Sequence, residues 1–244
     1  MDLRTQIRSG LQSQGIPAPS LVWIQGAMPT RNPLPPLPAL VATVKTRLLA
    51  ADLTSGQIFD SLPPVFASNA GSLDVKESKL LQDTPVQVLD IENLSKSRWE
   101  QVEELEAISR GEQTKGREIV RLPTGNEDDE SLTDTQSYQA GASGAARNGS
   151  TAAASKSSTH RLIVQDCKGQ KLYALELKRI ERIGINSLNI GEKIILKKGT
   201  LIARGTILLE PTTCTILGGK VEAWQKSWVE GRLARLREQT GDSR

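Results

Sequence analysis

The chain is short of the residues on which most enzyme chemistry rests. Among its 244 residues there is one histidine, His160, and there are two cysteines, Cys167 and Cys214. A lone histidine cannot form the paired imidazole spacing of a zinc site, and the cysteines lie too far apart in sequence for a CxxC pair. Neither the phosphate-cradling GxxxxGK[ST] nor the dinucleotide fingerprint GxGxxG occurs. No catalytic constellation, metal site or cofactor is expected. His160 ends a low-complexity segment, a poor position for catalysis, and the cysteines fall at strand ends, where free thiols behave as small hydrophobes. Both cysteines suit a reducing compartment, with no disulfide. No apolar run approaches the ~18–20 residues of a membrane-spanning helix, so no membrane partner is expected. Aromatics are scarce too: four Trp, two Tyr and two Phe.

What is present is an uneven charge. The formal net charge is only +3, yet residues 161–244 carry 16 Lys and Arg against 9 Asp and Glu. Residues 101–130 carry 4 against 9. A basic C-terminal third beside an acidic middle suits separate parts with separate partners, and equally a solvated surface beside an acidic loop.

The N-terminal part, residues 1–60, reads as a small helical domain. Leu3, Ile7 and Leu11 repeat at i, i+4, i+8, and LVWI follows at 21–24. RNPLPPLP at 31–38 is a proline-rich linker. After it, ALVATVKTRLLAADL at 39–53 places Leu40, Val44 and Leu48 on one stripe. Three such helices bury little area by themselves and are expected to dock on the next domain. Residues 61–84 read as a linker.

Strand periodicity then begins. PVQVLDIEN at 85–93 alternates, and SKSRWEQVEELEAI at 95–108 turns helical. From about 109 to 160 apolar residues nearly vanish, and Ser, Ala and Gly dominate, a composition unable to offset its chain entropy by burial. The EDDE run at 127–130 reads as a solvated acidic stretch. Order returns with RLIVQDC (161–167) and KLYALELKRI (171–180), a hairpin with Leu172, Ala174 and Glu176 on one face and Tyr173, Leu175 and Leu177 on the other. KIILK follows at 193–197, then TLIARGTILLE at 200–210, with Gly205 as a mid-strand bulge, and CTIL at 214–217. A final helix from about 220 gathers Trp224, Trp228, Val229, Leu233 and Leu236 within one half-turn. That face suits packing on the barrel or on a partner helix.

Five to six short antiparallel strands with helices at their edges specify a mainly β domain, an OB-fold barrel over 85–238. Residues 101–160 form a long insertion between its first two strands, and 239–244 a tail. Lys168, Lys171, Lys178, Arg179, Arg182, Lys193, Lys197, Lys198 and Arg204 all fall in the barrel segment. Of these, Lys171, Lys178, Arg179, Lys197 and Lys198 are candidates for DNA phosphate contacts, giving salt-dependent affinity. Barrels that grip single strands stack bases on aromatic side chains, and these strands offer only Tyr173. DNA contact is therefore expected to be weak, or made through a complex.

The stretch SLNIGEKIILKKGTLIARGTILLEPTTCTILGGKVEAW resembles the RecQ-mediated genome instability protein 1 family. The resemblance rests on Gly191, Lys193, Ile194, Gly199, Arg204, Gly205, Leu208, Leu209, Pro211, Leu217, Gly218, Gly219 and Val221, with QVLDIENLSKS (87–97) similar to the family's first barrel strand. The extent of the chain resembles the short fungal members that lack a second OB-fold. The resemblance implies a non-catalytic nuclear scaffold that works with a RecQ-family helicase and a type IA topoisomerase, topoisomerase III. Such a complex dissolves double Holliday junctions during homologous recombination, DNA repair and replication. It implies that the barrel signature Arg204, Gly205, Pro211, Leu217, Gly218 and Gly219 marks the topoisomerase-binding module. It also implies that the insertion modulates the enzyme's DNA gate, with Lys115, Arg117, Ile119, Val120 and Leu122 as the docking candidates. The alternative is a stand-alone OB-fold protein that binds single-stranded DNA.

Overall fold

The structure is a computed structural model; it describes residues 2–30, 33–111 and 158–241, and within the intervening span two short strands at 113–114 and 117–118. Three helices come first: α1 (Leu3–Gln12), α2 (Leu21–Ala27) and α3 (Leu37–Ala50). Ile7, Leu11, Ile24, Leu40, Val44 and Leu48 meet as a separate apolar core. Ser20 caps α2 by accepting the Trp23 N–H. α3 starts inside the proline run rather than after it. Pro36 is its N-cap and Pro38 occupies the first turn, where a missing N–H is no loss.

The strands are β1 (Ser78–Lys79), β2 (Thr84–Asn93), β3 (Gln113–Thr114), β4 (Arg117–Glu118), β5 (His160–Asp166), β6 (Lys171–Glu176), β7 (Lys193–Leu196), β8 (Leu201–Ala203), β9 (Thr206–Leu209) and β10 (Cys214–Gly218). β3 and β4 pair only with each other. The other eight form one sheet in the order β1-β8-β9-β6-β5-β2-β7-β10. All its pairings are antiparallel except β6 with β9. The sheet curls until residues 80–83 meet the 197–200 turn. There the Leu80 N–H donates to Thr200 O, the Gly199 N–H donates to Leu80 O and the Lys198 N–H donates to the Asp83 carboxylate. This is the expected OB-fold barrel. Alternate residues point inward, so Val86, Val88, Leu162, Val164, Leu172, Ala174, Ile194, Leu196, Ile207 and Leu209 form its core.

Residues 61–84 pack as well as connect. Phe66, Ala70 and Leu80 join the barrel core, and the Asp166 carboxylate holds the segment by accepting the Phe66 N–H. α4 (Arg98–Ser109) follows β2 and opens with a full capping box between Ser97 and Glu100. The chain leaves β2 and returns to β5 at one place, where the Leu94 N–H donates to Thr159 O and the Thr159 N–H to Ser95 Oγ.

Three further expectations need correction. Gly205 is the second residue of a two-residue hairpin turn between β8 and β9, with Arg204 at φ 47° and Gly205 at φ 75°. Both residues left-handed is the turn whose twist matches flanking strands; the register irregularities lie instead in β2, between Val88 and Asp90, and in β10, between Ile216 and Gly218. β6 stops at Glu176, four residues early, because Glu176 turns the chain by accepting the Ile180 N–H. The last helix, α5 (Glu222–Thr240), has no fully buried residue. Trp224 and Trp228 rest on the barrel core, whereas Val229 is more than half exposed, so the apolar face is narrower than its pattern suggests.

Candidate functional site

The helical domain is fastened to the barrel through the glycine-rich end of β10. Leu217 packs against the helical core. Gly219 sits at φ 89°, so close to α3 that an added Cβ would lie 2.4 Å from Leu49 O. Only glycine permits both that approach and that backbone angle. A buried polar knot reinforces the joint. Gln87 accepts the Leu53 N–H and donates to Asp52 and Gln165. Nearby, the buried Lys193 donates to Gly191 O. Burial pushes Lys193 down from its ordinary 10.5 to about 8, against the pull of the Asp52 carboxylate.

The other signature residues lie elsewhere. Arg204 and Gly205 form the β8–β9 hairpin tip, which rests on the Gly71 backbone. Pro211 is exposed in the turn before β10. Leu217 and Gly219 make the contact between the two domains of this chain, while Gly218 lies nearest Arg182 of the barrel. Of the docking candidates in the insertion, Lys115, Ile119, Val120 and Leu122 lie outside the described residues; Arg117 starts β4, and its side chain lies outside them too.

The phosphate candidates differ in how far they are already engaged. Lys171 and Lys198 are exposed; Lys178 pairs with Glu210 at 3.0 Å and Lys197 with Asp83 at 3.9 Å. Arg179 is part-buried and engaged within the chain. Its guanidinium donates to Glu176, to Ile180 O and to Ile183 O. Lys193 is buried, and Arg182 is tied to Glu192.

Glu176 is the hub of a second buried network. It accepts the His160 N–H and lies 2.9 Å from His160 Nδ1. Burial acts to raise its carboxyl, but the hydrogen bonds from His160, the Ile180 N–H and Arg179 outweigh burial and hold it below the usual range. His160 is therefore buried structure at the root of the insertion, not a side chain in a polar tail. Burial pushes the Cys167 thiol up to about 12, against thiolate chemistry. Among the described residues no group of three or more His, Cys, Asp and Glu is placed to hold a metal ion.

The most distinctive open surface is the outer face of β5, β6 and β9. Register pairs Ile163 with Tyr173 and Thr206, and Arg161 with Leu175 and Leu208. Leu177 extends the row, with Tyr173 47% and Leu177 52% exposed. Tyr173 is the one aromatic among these residues, and the Arg161 guanidinium lies 4.8 Å from its ring centroid. A largely aliphatic row whose one aromatic already carries Arg161 over its ring suits a protein surface better than stacked bases. Tyr173, Leu175 and Leu177 were visible in the alternation of β6. Ile163 and Leu208 were not, because cross-strand register is not written in any one strand.

The family model described as "RMI1, N-terminal OB-fold domain" matches residues 64–232. The one described as "RMI1, N-terminal helical domain" matches residues 11–55. The RecQ-mediated genome instability protein 1 of Schizosaccharomyces pombe (strain 972 / ATCC 24843) is 30% identical over 192 residues, covering 76% of this chain and 74% of that protein.

Proposed function

Because the chain belongs to the RecQ-mediated genome instability protein 1 family, we propose that it is a non-catalytic nuclear scaffold for a RecQ-family helicase and topoisomerase III. In this role it supports dissolution of double Holliday junctions and so genome stability. The barrel binds the topoisomerase, and the insertion, with Lys115, Arg117, Ile119, Val120 and Leu122, modulates the DNA gate. Arg204 and Pro211 lie exposed and free to join the contact; Leu217 and Gly219 serve it by keeping the two domains in register.

The observation that carries this reading is the row of Ile163, Tyr173, Leu175, Leu177 and Leu208, in which Tyr173 and Leu177 are exposed and the other three half-buried. An exposed row of this kind is what a contact module offers to a protein partner. The test is co-purification with topoisomerase III after nuclease treatment. The complex is expected to survive nuclease and to be lost in Leu177→Glu, with the thermal midpoint of the variant unchanged. Release by nuclease would favour the stand-alone single-strand-binding alternative. Removal of residues 112–157 is expected to leave assembly intact and to alter decatenation; loss of assembly would contradict that division of labour.

A further inference from the structure

A cleft of about 430 Å³ opens between the end of β2, the start of α4 and the last turns of α5. Five cations line it: Lys96, Arg98, Arg161, Arg232 and Arg235. Two of them are already matched by carboxylates. Arg161 donates to Glu92 at 2.5 and 2.9 Å, and Lys96 pairs with Glu104 at 2.7 Å. The other carboxylate of the lining, Asp90, accepts the Trp228 indole N–H at 2.6 Å and the Ile91 N–H at 2.8 Å.

Arg98, Arg232 and Arg235 form no ion pair with a carboxylate among the described residues. Arg98 is exposed at the first residue of α4. Arg232 and Arg235 are half-buried and lie over the Trp228 ring at 5.5 and 5.8 Å, and Arg235 also donates to Trp228 O. Stacking on the indole fixes these two side chains while leaving further donors free. Burial first, with the charge of Arg235 beside it, lowers the pKa of Arg232, and Glu104 and Asp90 do not make up the deficit. The same two helices show what such a guanidinium takes. Arg237 of α5 grips the Glu106 carboxylate of α4 with two N–H groups, at 2.7 and 3.2 Å.

The surroundings narrow the choice of anion. Glu100, Glu103 and Glu104 are exposed along α4, and Glu230 and Glu238 along α5. A long polyanion crossing the cleft would meet their like charge, whereas a short acidic segment would not. The one indole of the lining is covered by its own arginines and offers no face to a base. Leu94, 47% exposed, and the half-buried Leu236 give the cleft an apolar side. We propose that this cleft binds an acidic segment of a partner protein, its carboxylates on Arg98, Arg232 and Arg235 and an adjoining aliphatic side chain on Leu94 and Leu236. The site requires nothing of the protein that covers the β5–β6–β9 row. Arg161, which lies over Tyr173, borders both surfaces.

The test is fluorescence anisotropy with the full chain and a short labelled peptide in which consecutive glutamates adjoin one leucine. Arg98→Gln/Arg232→Gln is expected to weaken binding about ten-fold, through loss of charge-assisted hydrogen bonds from two guanidinium groups. Arg98→Gln alone, at an exposed position, should keep the thermal midpoint and weaken binding about three-fold. Arg98→Lys should recover only part of that loss, because an ammonium lacks the planar fork that matches a carboxylate. Lys171→Gln/Lys178→Gln, outside the cleft, should leave the affinity unchanged. Equal binding by Arg98→Gln and the unaltered chain overturns the proposal. So does a peptide with glutamines in place of the glutamates that binds as tightly. An oligothymidylate that loses as much affinity as the peptide in the double variant makes the cleft a site for nucleic acid and overturns it too. Removal of residues 112–157 should leave peptide affinity unchanged. Markedly tighter binding after that removal would make the chain's own acidic run the occupant and overturn the assignment to a partner.

Discussion

Gln87 Nε2 stands 2.7 Å from Asp52 Oδ1. One residue comes from the middle of the barrel's first long strand, the other from just beyond the last helix of the N-terminal domain. The same amide accepts the Leu53 N–H and donates to Gln165, so a fully buried side chain reads both domains at once. Gln87→Leu removes every one of these bonds and leaves the Leu53 N–H buried without a partner. The expected loss is about 1–3 kcal/mol. Urea unfolding measures it, and the helical domain should become the first part cut by a protease.

Gly219→Ala is the sharper test of the same joint. The new methyl would meet the Leu49 carbonyl while the backbone stays at φ 89°. Left-handed strain alone costs about 1–3 kcal/mol, and the clash adds to it. A large drop in thermal midpoint is expected, and a domain interface that opens. A variant as stable as the parent would mean that the two domains do not depend on this approach.

Lys193 gives the joint a pH signature. Its folded pKa of about 8 lies below the ordinary 10.5. Between those values the unfolded chain holds the proton and the folded chain does not, so this group makes stability rise with pH across that window. Below about 8 the burial cost is present in full. Cys167, pushed up to about 12, works in the opposite sense above its ordinary 9.0. The informative quantity is therefore the difference between the parent and Lys193→Met from pH 7 to 9 in chemical denaturation. Met at this site should be the more stable at pH 7, with the gap narrowing as pH rises.

Glu176 supplies the acid-side counterpart. Its folded pKa is lowered, so its contribution is present above the unfolded value of about 4.3 and is lost as pH falls through the folded value. Glu176→Gln leaves the buried Arg179 and His160 contacts without their carboxylate and is expected to cost about 3 kcal/mol at neutral pH. The variant should also show a flatter acid limb in its stability profile. A parent-like acid limb would indicate that the hydrogen bonds to Glu176 do not favour its charged form.

Much of the fold was legible because it rests on period. Leu172, Ala174 and Glu176 alternate inward as their spacing requires, and Leu3, Ile7 and Leu11 lie on one helical stripe. What was misread depended on something beyond local pattern. Pro36 and Pro38 look like linker residues, yet the first helical turn tolerates them. Gly205 looks like a bulge, and only the pairing of Ala203 with Thr206 makes it a turn. His160 reads as the end of a low-complexity segment because its partner, Glu176, lies across a hairpin. The site was less legible than the fold. Basic residues counted along the barrel differ in how far they are engaged, and Arg179 and Lys193 turn inward. Arg98 and Arg232, far apart in sequence, line one cleft beside the end of β2, which no local pattern announces.

The docking of Leu217 and Gly219 on the N-terminal helices also sets an order of assembly. The helices leave the ribosome well before the strand that covers them. The barrel waits in the same way, since β2 needs both β5 and β7 beside it. Until the final strand emerges, the apolar side of α3 around Leu49 has no cover from within the chain. A nascent chain stopped before residue 214 should therefore hold helices that a protease can reach. Completion of one strand would protect both domains together.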